Sequence, residues 1–240
     1  MTGDRPAQLR AAAAHLRVQT SELDGTDVVQ LDEPTAHHVH RVLRLRDGET
    51  VTLTDGAGRW RTAVVAGRGS VEATSQVHTE PDPDPPITIA AAMPKGDRLD
   101  VLVQKVTELG ADRVVLLHAD RSIVRWDPER AERQAARLGR IADEACRQSR
   151  RVWWPTIEGP VASTEALPGR LIAEPGGRDI GPGDCYVAIG PEGGWTDREL
   201  ALAGGSIGLG PTILRTETAA IAATTLCVSV RHRSLEFDDT

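Results

Sequence analysis

Three short segments rich in glycine and proline have the composition of ligand-binding loops. They are AEPGG at 173–177, IGPEGG at 189–194 and LGPTILRT at 209–216. Each follows a short apolar run that predicts a strand, and loops that follow parallel strands meet at one edge of a sheet. Glycine lets a ligand approach the backbone closely, but a tight turn without a ligand has the same composition. The convergence of three such segments favours a ligand site more than any one of them does.

The class of ligand follows from the motifs that these loops do not contain. None of them has GxxxxGK[ST] or a strand-embedded GxGxxG, which mark nucleoside triphosphate and dinucleotide sites. We therefore expect a ligand without phosphates, with an adenine edge and a ribose held by backbone groups. Arg215, beside the loops, is suited to steady a developing negative charge or to hold a phosphate. Thr216 and Glu217 fit either this site or simple capping of the following helix.

An arginine-rich region is the second chemical feature of the chain. Between positions 121 and 151, nine arginines accompany five acidic residues, although the whole chain carries a net charge of −7. Arginine binds phosphate through two hydrogen bonds and stacks on bases, so this region is a candidate RNA contact. A solvated helix face is the alternative. Trp153 and Trp154 follow the region, and they either pack in the core or stack on a base.

The composition of the 240 residues is typical of a soluble globular protein with one large or two smaller domains. No apolar run approaches the roughly 20 residues that cross a bilayer. The N-terminus also lacks a secretory pattern, so we expect no membrane partner and a cytoplasmic location. The three cysteines are far apart and predict neither disulfides nor zinc. No further ligand completes the cluster of His37, His38 and His40, so we expect no metal.

Residues 1–79 have the alternating pattern of a small β-barrel. Strands are predicted at 49–54, 59–66 and 70–78, with a hairpin turn at 55–58. Before them, AHHVHRVLRLRDG has helical spacing and leaves Arg41 and Arg44 to reach outward. The apolar stripe of this helix is Val39, Val42, Leu43 and Leu45. EPDPDPP at 80–86 predicts a stiff linker, because proline cannot donate ladder hydrogen bonds.

From residue 87 onward the predicted strands and helices alternate. This alternation indicates an α/β fold with a parallel sheet and crossover helices. The predicted strands are 87–92, 113–117, 170–173, 186–189 and 206–209, and the predicted helices are 97–109, 128–148, 196–203 and 218–230.

Four segments, in this order, carry a resemblance to a known family. They are QKVTELGADRVVLLHADRSIV, EACRQSRR, AIGPEGGWTDREL and LGPTILRTETAAIAA. They resemble the RsmE family of 16S rRNA uracil-N3 methyltransferases, of the SPOUT superfamily, and the match runs over residues 87–230. HHVHRVLRLRDGE is similar to the family's small N-terminal PUA-like barrel. The resemblance implies a PUA-like RNA-binding β-barrel at 1–79, a linker at 80–86, and a SPOUT methyltransferase domain with a C-terminal trefoil knot at 87–240.

The resemblance further implies a homodimer, S-adenosylmethionine as cofactor and 16S rRNA in the small ribosomal subunit as partner. The implied cofactor-binding residues are Ala173, Glu174, Pro175, Gly176, Ile189, Gly190, Pro191, Glu192, Gly193, Gly194, Leu209, Gly210, Ile213, Leu214 and Thr216. The predicted RNA-binding residues are Arg41, Arg44, Lys105, Arg121, Arg147, Arg150 and Arg151. Lys105 belongs to the family motif QKxxELG at 104–110. Where the family usually has CEQSGR, this chain has CRQSRR at 146–151, with two additional arginines.

The implied reaction is methylation of N3 of a uridine that has turned out of its stack. N3 is a weakly acidic imide, so either a base takes its proton or a cation stabilises the anion as it forms. Arg215 is the predicted cation, and Glu217 and Glu192 are the candidate bases. Two alternatives stay open: a non-catalytic RNA-binding ribosome-assembly factor, and a SPOUT methyltransferase that acts on another base of rRNA or on tRNA.

Overall fold

The computed structural model describes residues 5–25, 27–67 and 69–238 of the chain. The chain divides into two compact units, Met1–Asp82 with Cys146–Trp154, and Pro83–Ala145 with Pro155–Thr240. Residues 146–154 fall in the second domain of the sequence-based division, whereas in the structure they pack with the N-terminal unit. The domain limits at residues 79 and 87 stay a prediction.

The N-terminal unit is a six-stranded sheet with short helices. Its elements are α1 (Arg5–Ala11), β1 (Ala14–Arg17), α2 (Thr20–Gly25), β2 (Val28–Gln30), α3 (Glu33–His37), β3 (Thr50–Thr54), β4 (Arg59–Val65), β5 (Ser70–Ala73) and β6 (His78–Thr79). The strand order is β1-β3-β4-β5-β2, and β6 pairs with β4. β1 runs parallel to β3, and the other pairs are antiparallel. The predicted β-rich character is confirmed, although β1 and β2 are too short to give a signal of their own.

The helix predicted around residue 40 is present, but of its predicted apolar stripe only Val39 and Leu45 pack against the core of the N-terminal unit. α3 leads directly into a single π-helical turn at His38–Val42. A π turn is wider than an α turn, so its residues leave the 3.6-residue spacing on which the stripe was based. Val39 is buried, whereas Val42 and Leu43 are 59% and 39% exposed.

Trp153 and Trp154 pack against the turn between β3 and β4. A β-carbon added at Gly58 would lie 2.2 Å from the Trp153 ring, and one added at Gly56 would lie 3.1 Å from the Trp154 ring. The Arg17 guanidinium lies 4.3 Å from the centre of the Trp154 ring. Both indoles are half-buried. Of the two interpretations of these tryptophans, the structure supports packing within the N-terminal unit.

The second unit is a six-stranded sheet with helices between its strands. Its elements are β7 (Thr88–Ala92), α4 (Arg98–Leu109), β8 (Arg113–His118), α5 (Pro128–Ser149), β9 (Thr156–Ala162), α6 (Ser163–Ala166), β10 (Leu171–Arg178), β11 (Tyr186–Ile189), α7 (Asp197–Leu202), β12 (Gly205–Ile207) and α8 (Thr216–Asp238). The last four residues of α5 belong to the N-terminal unit. The strand order is β12-β10-β11-β7-β8-β9, and every pair runs parallel. The α/β class with a parallel sheet is confirmed.

The core of this unit follows from the predicted patterns. Every residue of β7 is buried, as expected for a central strand with covered faces. α4 buries Leu99, Leu102, Val103 and Val106 on one stripe and packs on α8. β9 was not predicted, because Gly159 and Pro160 interrupt its pattern.

Two boundaries near the loops differ from the predictions. AEPGG was predicted as a loop after a strand, but residues 174–177 lie inside β10. Ala173 and Arg178 both pair with Ile207, so the residues between them form a large irregularity in the β10–β12 pairing. α8 begins at Thr216 instead of residue 218, so Thr216 and Glu217 stand in its first turn.

The remaining predictions about composition concern cysteines and membranes. Cys146 and Cys227 are buried and Cys185 is half-buried, and all three are free thiols. Within the described part of the chain, no helix combines the length and the apolar character that a membrane span requires.

Candidate functional site

A cleft of about 340 Å³ lies in the second unit where the three glycine-containing segments meet. Every predicted cofactor residue except Gly176 lines it. Trp195 and Ala219 line it as well, although the sequence did not single them out, and so does Thr212 of the 209–216 segment. Its volume is at the lower end of the roughly 300–1,000 Å³ that is usual for small-ligand sites. The structure thus brings the three segments together, and binding of a cofactor by these residues stays a prediction.

The wall after β11 is shaped by glycines and an indole. A β-carbon at Gly190 would lie 3.1 Å from the Trp195 ring, so the backbone packs directly on this buried side chain. Gly194 has a φ of +70°, a conformation that side chains other than glycine disfavour. The Thr216 hydroxyl donates a hydrogen bond to the Gly190 carbonyl oxygen at 3.0 Å. This bond connects the first turn of α8 to the loop.

Arg121 and Glu199 connect this loop and the start of α7 to the segment that follows β8. Arg121 Nη1 donates to the carbonyl oxygens of Gly193 and Trp195 at 3.0 and 3.1 Å. The fully buried Glu199 accepts from the backbone N–H groups of Asp120 and Thr196, both at 2.9 Å. Burial alone would raise the pKa of Glu199, but hydrogen bonds from Ser163, Thr196 and Asp120 outweigh it and keep the pKa below its usual value.

The cleft is acidic. Glu174 and Glu192 line it, and no lysine or arginine does so among the described residues. Burial raises the pKa of the Glu174 carboxyl. A site with carboxylates and glycine-lined walls suits a cationic ligand and not a phosphate, which would need positive partners. This agrees with the expectation of a ligand without phosphates.

The three predicted catalytic residues occupy different positions at this cleft. Glu192 lines it and lies 2.8 Å from Arg98 Nη1. Glu217 is only 13% exposed, and its Oε2 lies 3.7 Å from the same nitrogen. Arg215 is exposed and is not among the lining residues, and within the described part of the chain its side chain makes no hydrogen bond or ion pair. The structure therefore joins the two candidate bases through Arg98 and leaves Arg215 at the surface.

Arg98 was not identified as a site residue from the sequence, although its position in the sequence carries a signal. It is the first residue of α4, three positions after Lys95 and directly after Gly96 and Asp97. A basic residue at a helix start is unusual, because the positive end of the helix dipole disfavours it. Such a position points to acidic partners from elsewhere in the fold.

Comparison with known proteins decides the family. A model described as an RNA methyltransferase domain matches residues 80–228, and one described as an RNA methyltransferase PUA domain matches residues 31–74. The chain belongs to this family of RNA methyltransferases. The ribosomal RNA small subunit methyltransferase E of Mycobacterium bovis is 35% identical over an alignment of 221 residues, with 82% of this chain and 84% of the relative covered.

Two further relatives agree. The protein of the same name from Synechocystis sp. is 31% identical over an alignment of 218 residues, with 81% of this chain and 71% of the relative covered. A crystal structure of the ribosomal RNA small subunit methyltransferase E from Neisseria gonorrhoeae, bound to S-adenosyl methionine, is 31% identical. Its TM-score is 0.70, with 88% of this chain and 94% of that chain covered. The resemblance to the RsmE family is confirmed.

In this RNA methyltransferase, two predicted RNA contacts lie in the second unit. Lys105 forms an ion pair with Glu108 on the same helix, at 2.8 Å. Arg121 is exposed but its Nη1 is bound to the loop carbonyls described above. A β-carbon at Gly193 would lie 3.3 Å from Arg121 Cβ, so this arginine packs on the cleft loop. Both residues therefore have partners within the protein already.

The other five predicted RNA contacts lie in the N-terminal unit of the enzyme. Arg41 and Arg44 are exposed. Arg150 donates to the Ala12 carbonyl oxygen at 2.8 Å, and the Arg151 carbonyl oxygen is 2.9 Å from His15 Nε2. Arg147 lines a cavity of about 690 Å³ together with Arg17, which the sequence did not single out.

The histidine cluster of the methyltransferase has a structural contact. Nε2 of His40 accepts a hydrogen bond from the backbone N–H of Gly69 at 3.2 Å. Within the described residues, no group of three or more His, Cys, Asp or Glu side chains lies together as a possible metal site. The expectation of no metal stays a prediction.

Proposed function

We propose that the chain is an S-adenosylmethionine-dependent methyltransferase that modifies N3 of one uridine in 16S rRNA of the small ribosomal subunit. The observation that carries this proposal is the acidic, glycine-walled cleft of the second unit. It supports a cationic adenosine-containing ligand and gives no support to a phosphate ligand. The relatives named for ribosomal RNA methylation supply the substrate class.

The residues present fit S-adenosylmethionine. Backbone groups of the 189–194 and 209–214 segments would hold the adenine edge, since glycines at 190, 193, 194 and 210 allow close approach. Glu174 would accept hydrogen bonds from the ribose hydroxyls. Glu192 would face the positive sulfur. When bound, the cofactor supplies a methyl group on a sulfonium, which is transferred to a nucleophilic nitrogen.

The protein groups then act on the uracil. Glu192 or Glu217 would take the N3 proton of the uracil, which would leave the nitrogen nucleophilic. Arg215, exposed next to the cleft residues Leu214 and Thr216, contacts the uracil oxygens or a flanking phosphate and stabilises negative charge. The hydrogen bonds of Arg121 and Glu199 keep the cleft formed without a ligand. Cofactor binding therefore costs less conformational entropy, because fewer loop residues have to be ordered.

RNA binding would use phosphate contacts from the N-terminal PUA-like barrel. Arg41, Arg44 and Arg147 are the candidates with the strongest support, because no hydrogen bond or ion pair of their side chains lies within the described residues. Binding should weaken as salt rises, since released counterions drive phosphate contacts. A filter-binding series with small subunits in which affinity does not fall with salt would contradict this.

Four further parts of the proposal follow from the family. The domains are 1–79 and 87–240 with a linker at 80–86, the methyltransferase domain contains a C-terminal trefoil knot, the protein is a homodimer, and it works in the cytoplasm. The dimer would cover exposed apolar residues such as Val101 on α4 and Leu226 on α8, which are 42% and 39% exposed. Sedimentation equilibrium tests it: a monomer at micromolar concentration would contradict the dimer.

The decisive experiment is methylation of small subunits that lack the modification. Subunits are incubated with isotope-labelled S-adenosylmethionine, and the 16S rRNA is digested and mapped by mass spectrometry. We expect the label on N3 of a single uridine. Label on another base or on tRNA would favour a different substrate of the same fold. Calorimetry without detectable S-adenosylmethionine binding would favour the non-catalytic assembly factor.

A further inference from the structure

One arginine is shared by two glutamates at the cofactor cleft. Arg98 Nη1 lies 2.8 Å from Glu192 Oε1 and 3.7 Å from Glu217 Oε2. Arg98 begins α4, Glu192 lies in the loop after β11, and Glu217 lies in the first turn of α8. Arg98 Nε also donates to the Lys95 carbonyl oxygen at 3.2 Å, which fixes the guanidinium at the start of α4. These contacts define a charged triad of Arg98, Glu192 and Glu217.

The triad has an unequal charge balance. Two carboxylates share one guanidinium, so a single negative charge is left over. Glu217 Oε2 is buried and has no hydrogen-bond donor within the described part of the chain. Arg98 is half-buried and Glu192 is exposed, at 31% and 41% exposed side-chain area. Charges in such a partly enclosed site interact more strongly than charges in bulk water.

The negative charge of the triad that Arg98 does not neutralise lies at the wall of the cleft. Glu192 belongs both to the triad and to the wall of the cleft. Glu174 is the other acid of that wall and lies outside the triad. Removing Arg98 would therefore make the cleft more negative, and removing the Glu192 charge would make it less negative. Neither change removes a glycine or a backbone group that shapes the cleft.

We propose that Arg98 is a positioning residue that sets the charge of the methyl-donor site. It aims Glu192 and Glu217 and neutralises one of them, so that the cleft prefers a sulfonium over a neutral thioether by a moderate margin. A moderate margin lets the enzyme bind the donor and still release the spent product. This inference rests on the proposed function, because it takes S-adenosylmethionine as the ligand.

The test compares two ligands that differ by one methyl group and one charge. Calorimetry at pH 8 gives the dissociation constants of S-adenosylmethionine and of its neutral product, S-adenosylhomocysteine. The ratio of the two dissociation constants reports the charge of the site, because disorder of the cleft loop would weaken the binding of both ligands by the same factor. Arg98→Gln should raise the preference for the cation by roughly threefold to tenfold, the size expected for one added charge in a partly exposed site.

Three variants complete the set. Arg98→Lys keeps the charge and should keep the ratio of the original protein. Glu192→Gln should lower the preference for the cation by a similar factor. Arg137→Gln is the matched control. Arg137 lies on α5 and pairs with Asp100 of α4, the helix that carries Arg98, but it contacts neither Glu192 nor Glu217. It should leave the ratio unchanged. High salt should reduce every shift, since the site is partly exposed.

The outcomes separate this inference from the proposed function. If the unmodified protein fails to bind S-adenosylmethionine, both are wrong. If it binds and Arg98→Gln weakens both ligands by the same factor, the role of Arg98 is structural and only this inference is overturned. If Arg98→Gln does not fold, Glu192→Gln decides, and an unchanged ratio in that variant overturns the inference.

Discussion

The Thr216 hydroxyl donates a hydrogen bond to the carbonyl oxygen of Gly190, 3.0 Å away. Thr216 is 3% exposed and starts α8, and Gly190 starts the loop after β11. The bond therefore ties together two walls of the cleft that are 26 residues apart in the chain. It gives Thr216 a role beyond capping, which was the alternative that the sequence left open.

Thr216→Val should weaken cofactor binding and stability together. Valine keeps the shape of threonine but removes the hydroxyl, so the Gly190 carbonyl loses its donor. We expect the free energy of unfolding to fall by about 1–3 kcal/mol. We expect the dissociation constant of S-adenosylmethionine to rise roughly tenfold, equivalent to about 1.4 kcal/mol. Calorimetry and urea unfolding measure both, and Thr216→Ser, which keeps the hydroxyl, should stay near the original protein. Equal affinity of Thr216→Val and Thr216→Ser for S-adenosylmethionine would count against this role of Thr216.

Arg121→Ala should affect the cofactor more than RNA. Its guanidinium donates to the carbonyl oxygens of Gly193 and Trp195, so its loss frees the cleft loop. We expect S-adenosylmethionine to bind roughly fivefold to tenfold more weakly, in line with the loss of hydrogen bonds to a charged donor. Arg41→Ala is the contrasting variant, since Arg41 is exposed in the N-terminal unit. It should weaken small-subunit binding and reduce its salt dependence without changing cofactor affinity. An Arg121→Ala protein with normal cofactor affinity and weaker RNA binding would restore Arg121 as an RNA contact.

His15 should make the N-terminal unit less stable in mild acid. It is 2% exposed, and its burial lowers the pKa of the imidazole to about 4. The Arg151 carbonyl can only accept, so Nε2 carries the proton and Nδ1 accepts from the Thr52 hydroxyl at 2.7 Å. In the unfolded chain the pKa is about 6.5, so the unfolded state binds a proton first as pH falls. Stability is therefore complete above pH 6.5 and is lost between pH 6.5 and 4.

The size of this loss follows from the shift in pKa. A decrease from 6.5 to about 4 corresponds to about 3 kcal/mol, most of it lost by pH 4. Urea unfolding at several pH values, followed by hydrogen exchange of the N-terminal unit, measures it. His15→Gln cannot titrate, so its stability should depend less on pH between 6.5 and 4. If the two proteins lose stability in parallel over this range, burial of neutral His15 is not the cause.

Gly58→Ala should strongly destabilise the N-terminal unit. Gly58 has a φ of +85°, and an added β-carbon would lie 2.2 Å from the Trp153 ring. Backbone strain of about 1–2 kcal/mol and overpacking of about 1–3 kcal/mol should add. Gly67→Ala is the matched control, because Gly67 has a φ of +72° with open space around it. It should show the strain alone. Similar losses in the two variants, measured by thermal unfolding, would mean that contact with Trp153 contributes little.

Local patterns predicted most of the elements. α4 and β11 depend on apolar spacing and on helix or turn signals that lie within the elements themselves, and both were predicted within a residue or two. β9 escaped because glycine and proline interrupt it, and the irregularity at 174–177 escaped because it depends on pairing with β12. The composition of the three glycine segments sufficed to indicate one site. It did not reveal Trp195, which forms part of the cleft wall because its ring packs against the backbone of Gly190.

The sequence by itself determined the family, most of the strand and helix pattern and most of the residues of the cleft, because these are encoded in local spacing and motifs. Tertiary structure alone decided that Arg98 joins Glu192 to Glu217, that Arg121 holds the cleft loop, and that residues 146–154 pack with the N-terminal unit. These relationships join residues that are tens of positions apart. They arise when whole elements pack to bury apolar surface and pair buried charges, and no short-range pattern records which distant partner each residue will meet.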